Sequence, residues 1–285
     1  MTRIRFPVGK TLLYGFMSLW ALTTIYPFIW VILNSFKPRG LIRSDTFSLP
    51  IGDKFTLENY VTAFKRVDIG TAYVNSIVIS GAVTVVVMVL AGLAAYAMVR
   101  YSFRLRGFLH SMIIASMMFP VFSTIIPVFR MESSWGIVNT GSIWLTRLSV
   151  VLPQIAGNLS FAIIVLMGFI RSLPVDLEEA AYLEGYNVYQ IFFRIIMPLA
   201  KPSFATVGIF TFLWSYNDLF LQMFFLRSKK FFTITRLLNE ISSQAGTNYG
   251  LMVAAVVMVV IPVLVVYIFL QNYIIKGMTA GAVKG

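Results

Sequence analysis

The chain contains no cysteine and a single histidine, His110, and only 11 of its 285 residues are acidic. Without thiols it can form neither a disulfide nor a thiolate metal site. One histidine and scattered carboxylates supply no cluster from which a metal centre or an acid–base pair could be built, so the sequence does not read as an enzyme. Charge of either sign is sparse: 12% of residues are charged, against roughly 25% in an ordinary soluble domain. A Gly-x4-Gly-Lys-Ser/Thr phosphate loop is also missing, so any ATP hydrolysis must come from another chain.

What is abundant is apolar surface. Hydrophobic residues make up 58% of the sequence, and the mean hydropathy is +0.82. A water-soluble fold of this size has too little interior to hide that surface, so the bilayer must act as solvent. The net charge of +12 does not point to nucleic acid, because Lys and Arg stand in short stretches between apolar runs, where they flank membrane spans.

Six runs reach the ~20 residues a membrane helix needs: 12–33, 73–99, 108–129, 148–170, 203–226 and 251–271. The first follows Arg3, Arg5 and Lys10 as a signal peptide would. It stays uncharged from Thr11 to Phe36, however, and no small-residue cleavage site follows, so it reads as a retained span. The reading is an all-α polytopic membrane protein with six transmembrane helices. Residues 1–71 hold the tail, first span and an external loop, 72–271 a five-helix core, and 272–285 a C-terminal tail.

Small residues from Ala91 to Ala95 predict a face where helices approach closely. Pro27, Pro120, Pro127, Pro153 and Pro262 predict kinks. In the loop after the first span, Leu57, Tyr60, Val61 and Phe64 recur at helical spacing behind a capping Thr56. That helix suits the membrane surface, a partner, or the chain's own span ends. Six spans put both termini on one side, but the two sides carry nearly equal numbers of basic residues, so charge does not choose between them.

The segment 174–202 carries the most specific signal. It reads as two short helices with an elbow. Asp176 caps the first, with Glu179 reaching back, and Gly185 ends it in the left-handed conformation. Asn187 caps the second, which runs to Pro198. Ile191, Phe192, Ile195 and Ile196 share a face suited to burial, while Glu178, Glu179 and Glu184 can stay in water. Physics alone gives an ordered acidic helix–turn–helix, which is also what a merely structural loop would be.

The pattern Glu179-Ala180-Ala181, three residues, Gly185, nine residues, Ile195-Ile196-Met197-Pro198 resembles the EAA loop of binding-protein-dependent ABC importer permeases. That family's pattern ends Ile-x-Leu-Pro, so Met197 is a departure. The tail from Lys276 to Gly285 is similar to that of the smaller, maltose-type permease of the carbohydrate branch. Trp214-Ser215-Tyr216-Asn217-Asp218 is similar to that branch's Trp-Asn-Asp motif with two residues inserted.

The resemblance implies a type I importer permease fold and transport of a sugar or oligosaccharide by alternating access. It implies ATPase coupling through Glu179, Ala180, Ala181, Gly185, Ile195 and Pro198. Phe119, Trp214, Tyr216, Asn217 and Asp218 become candidates for the translocation pathway, with Asp218 equally readable as an interface residue or a structural hydrogen-bonder. Gly281, Lys284 and Gly285 become candidates for a tail contact with the ATPase. The implied partners are a second homologous permease, two ATPase copies carrying ATP and Mg, and an extracytoplasmic solute-binding protein. This chain would bind no cofactor or metal and would lie in the cytoplasmic membrane with both termini inside. A non-sugar organic solute, a secondary transporter and a membrane scaffold are the alternatives.

Overall fold

In lipid a backbone can satisfy its N–H and C=O groups only within itself, so long apolar runs have to become helices. The computed structural model describes residues 8–66, 68–245 and 248–282, and among them every regular element is helical. The principal helices are α1 (Val8–Ser35), α2 (Glu58–Arg66), α3 (Ile69–Arg100), α4 (Arg106–Ser116), α5 (Val121–Ser134) and α6 (Ile143–Ile170). They continue with α7 (Asp176–Leu183), α8 (Val188–Leu199), α9 (Lys201–Asn217), α10 (Leu219–Phe225), α11 (Ile234–Ala245) and α12 (Tyr249–Ala282).

Among the described residues three helices, α1, α3 and α6, are long and apolar enough to cross a membrane, and up to five spans result if each bent pair counts as one. The sixth expected run, 251–271, lies within α12. The third expected run is not one straight helix: α4 and α5 meet at 104°. Pro120 stands at that break in extended conformation, as a residue without an N–H can. The other four prolines lie inside α1, α5, α6 and α12, which continue through them. The fifth run is also interrupted, with α9 ending at Asn217 and α10 restarting at Leu219.

The chain divides into two compact units, Met1–Asp68 with Leu238–Pro262, and Ile69–Leu237 with Val263–Gly285. In the first unit α1 is exposed from Gly9 to Ile29. An apolar helix without a buried stripe takes lipid or another protein as its solvent. Its C-terminal end is pinned by the loop that follows. Asn59 of α2 donates to the carbonyls of Ser35 (2.9 Å) and Lys37 (2.8 Å), and the hydroxyls of Ser35 and Tyr60 lie 2.6 Å apart.

Thr56 accepts from the N–H of Glu58, as its capping role requires. The apolar stripe Leu57, Val61 and Phe64 is exposed, and Asn59 and Ala63 form the buried face. Tyr60, the remaining residue of the stripe, turns to the end of α1 instead, its ring 5.3 Å from that of Phe36, so the stripe covers the chain's own span end only in part. Lys37 is fully buried and donates to the carbonyls of Asp45 (3.0 Å) and Thr46 (2.9 Å). Burial pushes its ammonium below the usual lysine range.

The second unit is organised around α3, which packs on α6 and α9. Its small-residue tract does what the spacing predicts: Ala91 and Ala95 are fully buried. A side chain at Gly92 would come within 2.8 Å of the Phe204 ring and 3.0 Å of the Phe192 ring. Dispersion and close backbone approach, not hydrophobicity, hold helices together in lipid, so this tract fixes where the elbow can sit.

Candidate functional site

The elbow is built from α7 and α8. Gly185 has φ +86°, the left-handed conformation that lets α7 stop and the chain turn. Asn187 accepts from the N–H of Gln190 (2.9 Å), and the Gln190 side chain accepts from the N–H of Asn187 (2.8 Å), a complete capping box. α8 contains a π-helical turn over Phe192–Ile196 before Pro198. Ile191, Phe192 and Ile196 are buried and Ile195 is half-buried, as their shared face requires. Arg194 lies over the Tyr186 ring at 5.9 Å, and Pro198 is exposed.

Two expectations about α7 are overturned. Asp176 does not cap it, and Glu179 makes no return bond to it. Val175 already has helical dihedrals, and its carbonyl accepts from the N–H groups of Glu178 (2.8 Å) and Glu179 (3.2 Å). The two N–H groups that a cap at Asp176 would take, those of Glu178 and Glu179, are thus already bonded. Nor does Glu178 stay in water: it is only 4% exposed. Arg100 Nε donates to its Oε1 at 2.5 Å, and the Tyr96 hydroxyl donates to its Oε2 at 2.7 Å. Arg100 Nη2 also holds the Leu173 carbonyl at 2.9 Å, just before α7. The Tyr101 and Tyr182 hydroxyls lie 3.0 Å apart at the rim, and that bond raises the Tyr182 phenol above its usual range.

The two alanines of the motif part company. Ala181 is buried with Glu178, while Ala180 and Glu179 face outward. Leu183, 91% exposed, and Tyr182 extend that outward face. α7 therefore holds on to α3 by one side and offers the other, a charge beside small and apolar groups, to something outside the chain.

The pathway candidates are dispersed. Phe119 is exposed at the α4–α5 break. Trp214 is half-exposed, edge-on to Phe161 with ring centres 4.8 Å apart. Tyr216 is buried, with its ring stacked on Phe212, and so cannot line an open path in this conformation. Asn217 is exposed and donates to the Leu213 carbonyl.

Asp218 caps α10, accepting from the N–H of Leu221 (3.2 Å) and from Gln154 Nε2 (3.1 Å). Gln154 in turn accepts from Ser215 (2.5 Å), and the Ser215 carbonyl accepts from Gln222 (3.1 Å). Each oxygen of the Asp218 carboxylate thus accepts one structural hydrogen bond. Of the tail candidates, Gly281 falls within α12, while Lys284 and Gly285 lie outside the described residues.

Sequence reasoning missed Tyr96, Arg100 and Gln154. The pairing partners of Glu178 and Asp218 are 78 and 64 residues away, and no local spacing links them.

A membrane-embedded α-helical core with an EAA elbow defines a permease, and residues 87–280 match the family of binding-protein-dependent transport system inner membrane components. The chain belongs to that family and is a multi-pass inner-membrane transport component. It is 33% identical over 273 residues to the diacetylchitobiose uptake system permease protein NgcG of Streptomyces coelicolor, covering 95% of this chain and 88% of the relative. It is 30% identical to the arabinooligosaccharides transport system permease protein AraQ of Halalkalibacterium halodurans, over the full length of both. Its fold matches a chain of a bacterial ABC transporter that imports the acidic polysaccharide alginate, with a TM-score of 0.81 at 23% identity, covering 96% of this chain and 99% of that one.

Proposed function

We infer that this permease imports a sugar or oligosaccharide across the cytoplasmic membrane by alternating access, driven by ATP hydrolysis on a separate subunit. The observation that carries the docking half of this reading is the two-sidedness of α7. Glu178 and Ala181 fasten it inward, while Glu179, Ala180 and Leu183 are left free for a partner. Glu179 then offers its carboxylate to a basic group on the ATPase, and the outward small residue lets the helix enter a groove. Gly185 sets the turn, and Ile195 and Pro198 keep α8 seated. The sugar half is supported by the relatives named for diacetylchitobiose and arabinooligosaccharides.

On this reading the elbow and both termini face the cytoplasm, and residues 281–285 lie close enough to the ATPases to touch them. A second homologous permease completes the pathway, two ATPase copies bind ATP and Mg, and an external binding protein delivers the solute. Phe119, Trp214 and Asn217 are the exposed candidates for the pathway wall, where aromatic faces would stack on sugar rings.

Gly185→Val, in a chain co-expressed with its ATPase, tests the docking. No atom crowds that position, so the variant acts through backbone strain of about 1–3 kcal/mol at the turn. Loss of ATPase co-purification from a normally inserted chain is the expected result. Unchanged co-purification and hydrolysis would falsify the docking reading. Uptake of labelled oligosaccharides into vesicles, beside amino acids and polyols, tests the cargo, and a preference for a non-sugar would replace it.

A further inference from the structure

Both helices of the elbow meet one stripe of one membrane helix. Gly92, Tyr96 and Arg100 stand at i, i+4 and i+8 on α3 and therefore share a face. Gly92 receives the Phe192 ring of α8. The Tyr96 ring lies 5.6 Å from Phe192, while its hydroxyl bonds Glu178 of α7. Arg100 grips Glu178 and the Leu173 carbonyl. α7 itself is eight residues long, and only Glu178 and Ala181 of it are buried. With Glu178 released, α7 would keep only the buried Ala181 and the bond of Tyr182 to Tyr101 at the rim.

α3 then runs without a break to Asn75, about 38 Å from Arg100 at 1.5 Å per residue. There Asn75 donates to the carbonyls of Lys230 (3.1 Å) and Phe232 (3.0 Å), and Ser76 accepts from the N–H of Ile234 (2.8 Å). Of the two covalent routes out of the elbow, α6 joins it through residues 171–175, and the one through α8 is bent and interrupted. α8 meets α9 at 82°, and α9 gives way to α10 at Asp218.

We propose that Glu178 is the positioning residue that makes α3 move with the elbow, so that displacement delivered at α7 is passed along α3 to the 230–234 segment at its far end. The proposal rests on reading α7 as the ATPase-docking helix, and it assigns transmission to the inward carboxylate, leaving docking to Glu179. A stroke on α7 can reach α3 only through a contact that resists swivelling. An ion pair with a second hydrogen bond on the other carboxylate oxygen fixes both the position and the rotation of the short helix.

The test uses the importer assembled with its ATPase and binding protein in proteoliposomes. Complex recovery, chain melting, ATP hydrolysis and solute uptake are measured for Glu178→Gln and Tyr96→Phe. The glutamine keeps the shape and an acceptor but not the charge. Recovery and hydrolysis near wild type, with solute moved per ATP falling about tenfold in Glu178→Gln and about two- to threefold in Tyr96→Phe, is the expected result. An unchanged ratio of uptake to hydrolysis overturns the proposal, whether or not less complex is recovered, because a merely structural anchor lowers both together. If Glu178→Gln does not assemble, Tyr96→Phe decides. A lowered ratio at unaltered melting supports the proposal, and an unaltered ratio overturns it. A wild-type chain that recovers no ATPase at all is a different outcome: it removes the docking reading, and the proposal with it.

Discussion

At Arg100, α3 is tied to the rest of its unit by a buried ion pair, whereas at Asn75 it is tied by amides and hydroxyls bonded mostly to backbone. The first end concentrates its hold on a single carboxylate, with Tyr96 and Arg100 as donors. The second spreads it over the carbonyls of Lys230 and Phe232, the N–H of Ile234 and the Arg147 guanidinium, which donates to Asn75 Oδ1 at 2.9 Å. A buried charge left without its partner is costly, while a neutral group in a distributed network loses only its own bonds. The elbow end should therefore respond sharply to one substitution and the Asn75 end gradually.

The largest effect is expected for Arg100→Met. It strands the Glu178 carboxylate with only the Tyr96 hydroxyl, at a cost of about 3–5 kcal/mol. Thermal melting of the purified chain, and protease cleavage between residues 173 and 187, should both report the loss. Adding Glu178→Leu should restore most of the melting, because replacing a buried pair by apolar groups is often near neutral. If Arg100→Met melts like the wild type, the contrast between the two ends is wrong.

The contrast also marks where sequence reading succeeds. Gly185, the Asn187–Gln190 cap, the Thr56 cap and the Ala91–Ala95 face were legible because each depends on residues a few positions apart. That the long apolar runs are helical was legible because lipid leaves the backbone little choice. Glu178 was not. Next to Glu179 in an acidic stretch, it has the same local pattern as a solvated residue, and only a helix 78 positions earlier buries it. The burial of Lys37 was not legible either, because its carbonyl partners come from a turn whose geometry no periodicity announces. The α4–α5 break was half legible, since proline signals a disturbance but its neighbours decide between a curve and a 104° bend.

A smaller effect should follow Asn75→Leu. The carbonyls of Lys230 and Phe232 and the Arg147 guanidinium each lose one partner. Ser76 still holds Ile234, so the loss should be about 1–3 kcal/mol. Melting measured beside Arg100→Met places the two ends on one scale. An equal or larger drop at Asn75 would invert the comparison.

The smallest effect belongs to Asp218, and it separates structure from transport. The carboxylate accepts from the N–H of Leu221 on one oxygen and from Gln154 on the other, and an amide, with a single oxygen, can keep only one of the two. Asn and Asp cap helices about equally well, so Asp218→Asn should keep the cap and lose the Gln154 bond at about 0.5–1 kcal/mol, while Asp218→Ala, lacking both acceptors, should cost about 1–2 kcal/mol. Uptake by the Asn variant in the assembled importer should match wild type. If instead uptake collapses while melting holds, the charge itself serves the translocation path, and the break in the fifth run has a second purpose. The alanine variant shows whether the melting assay could have detected a lost cap at all.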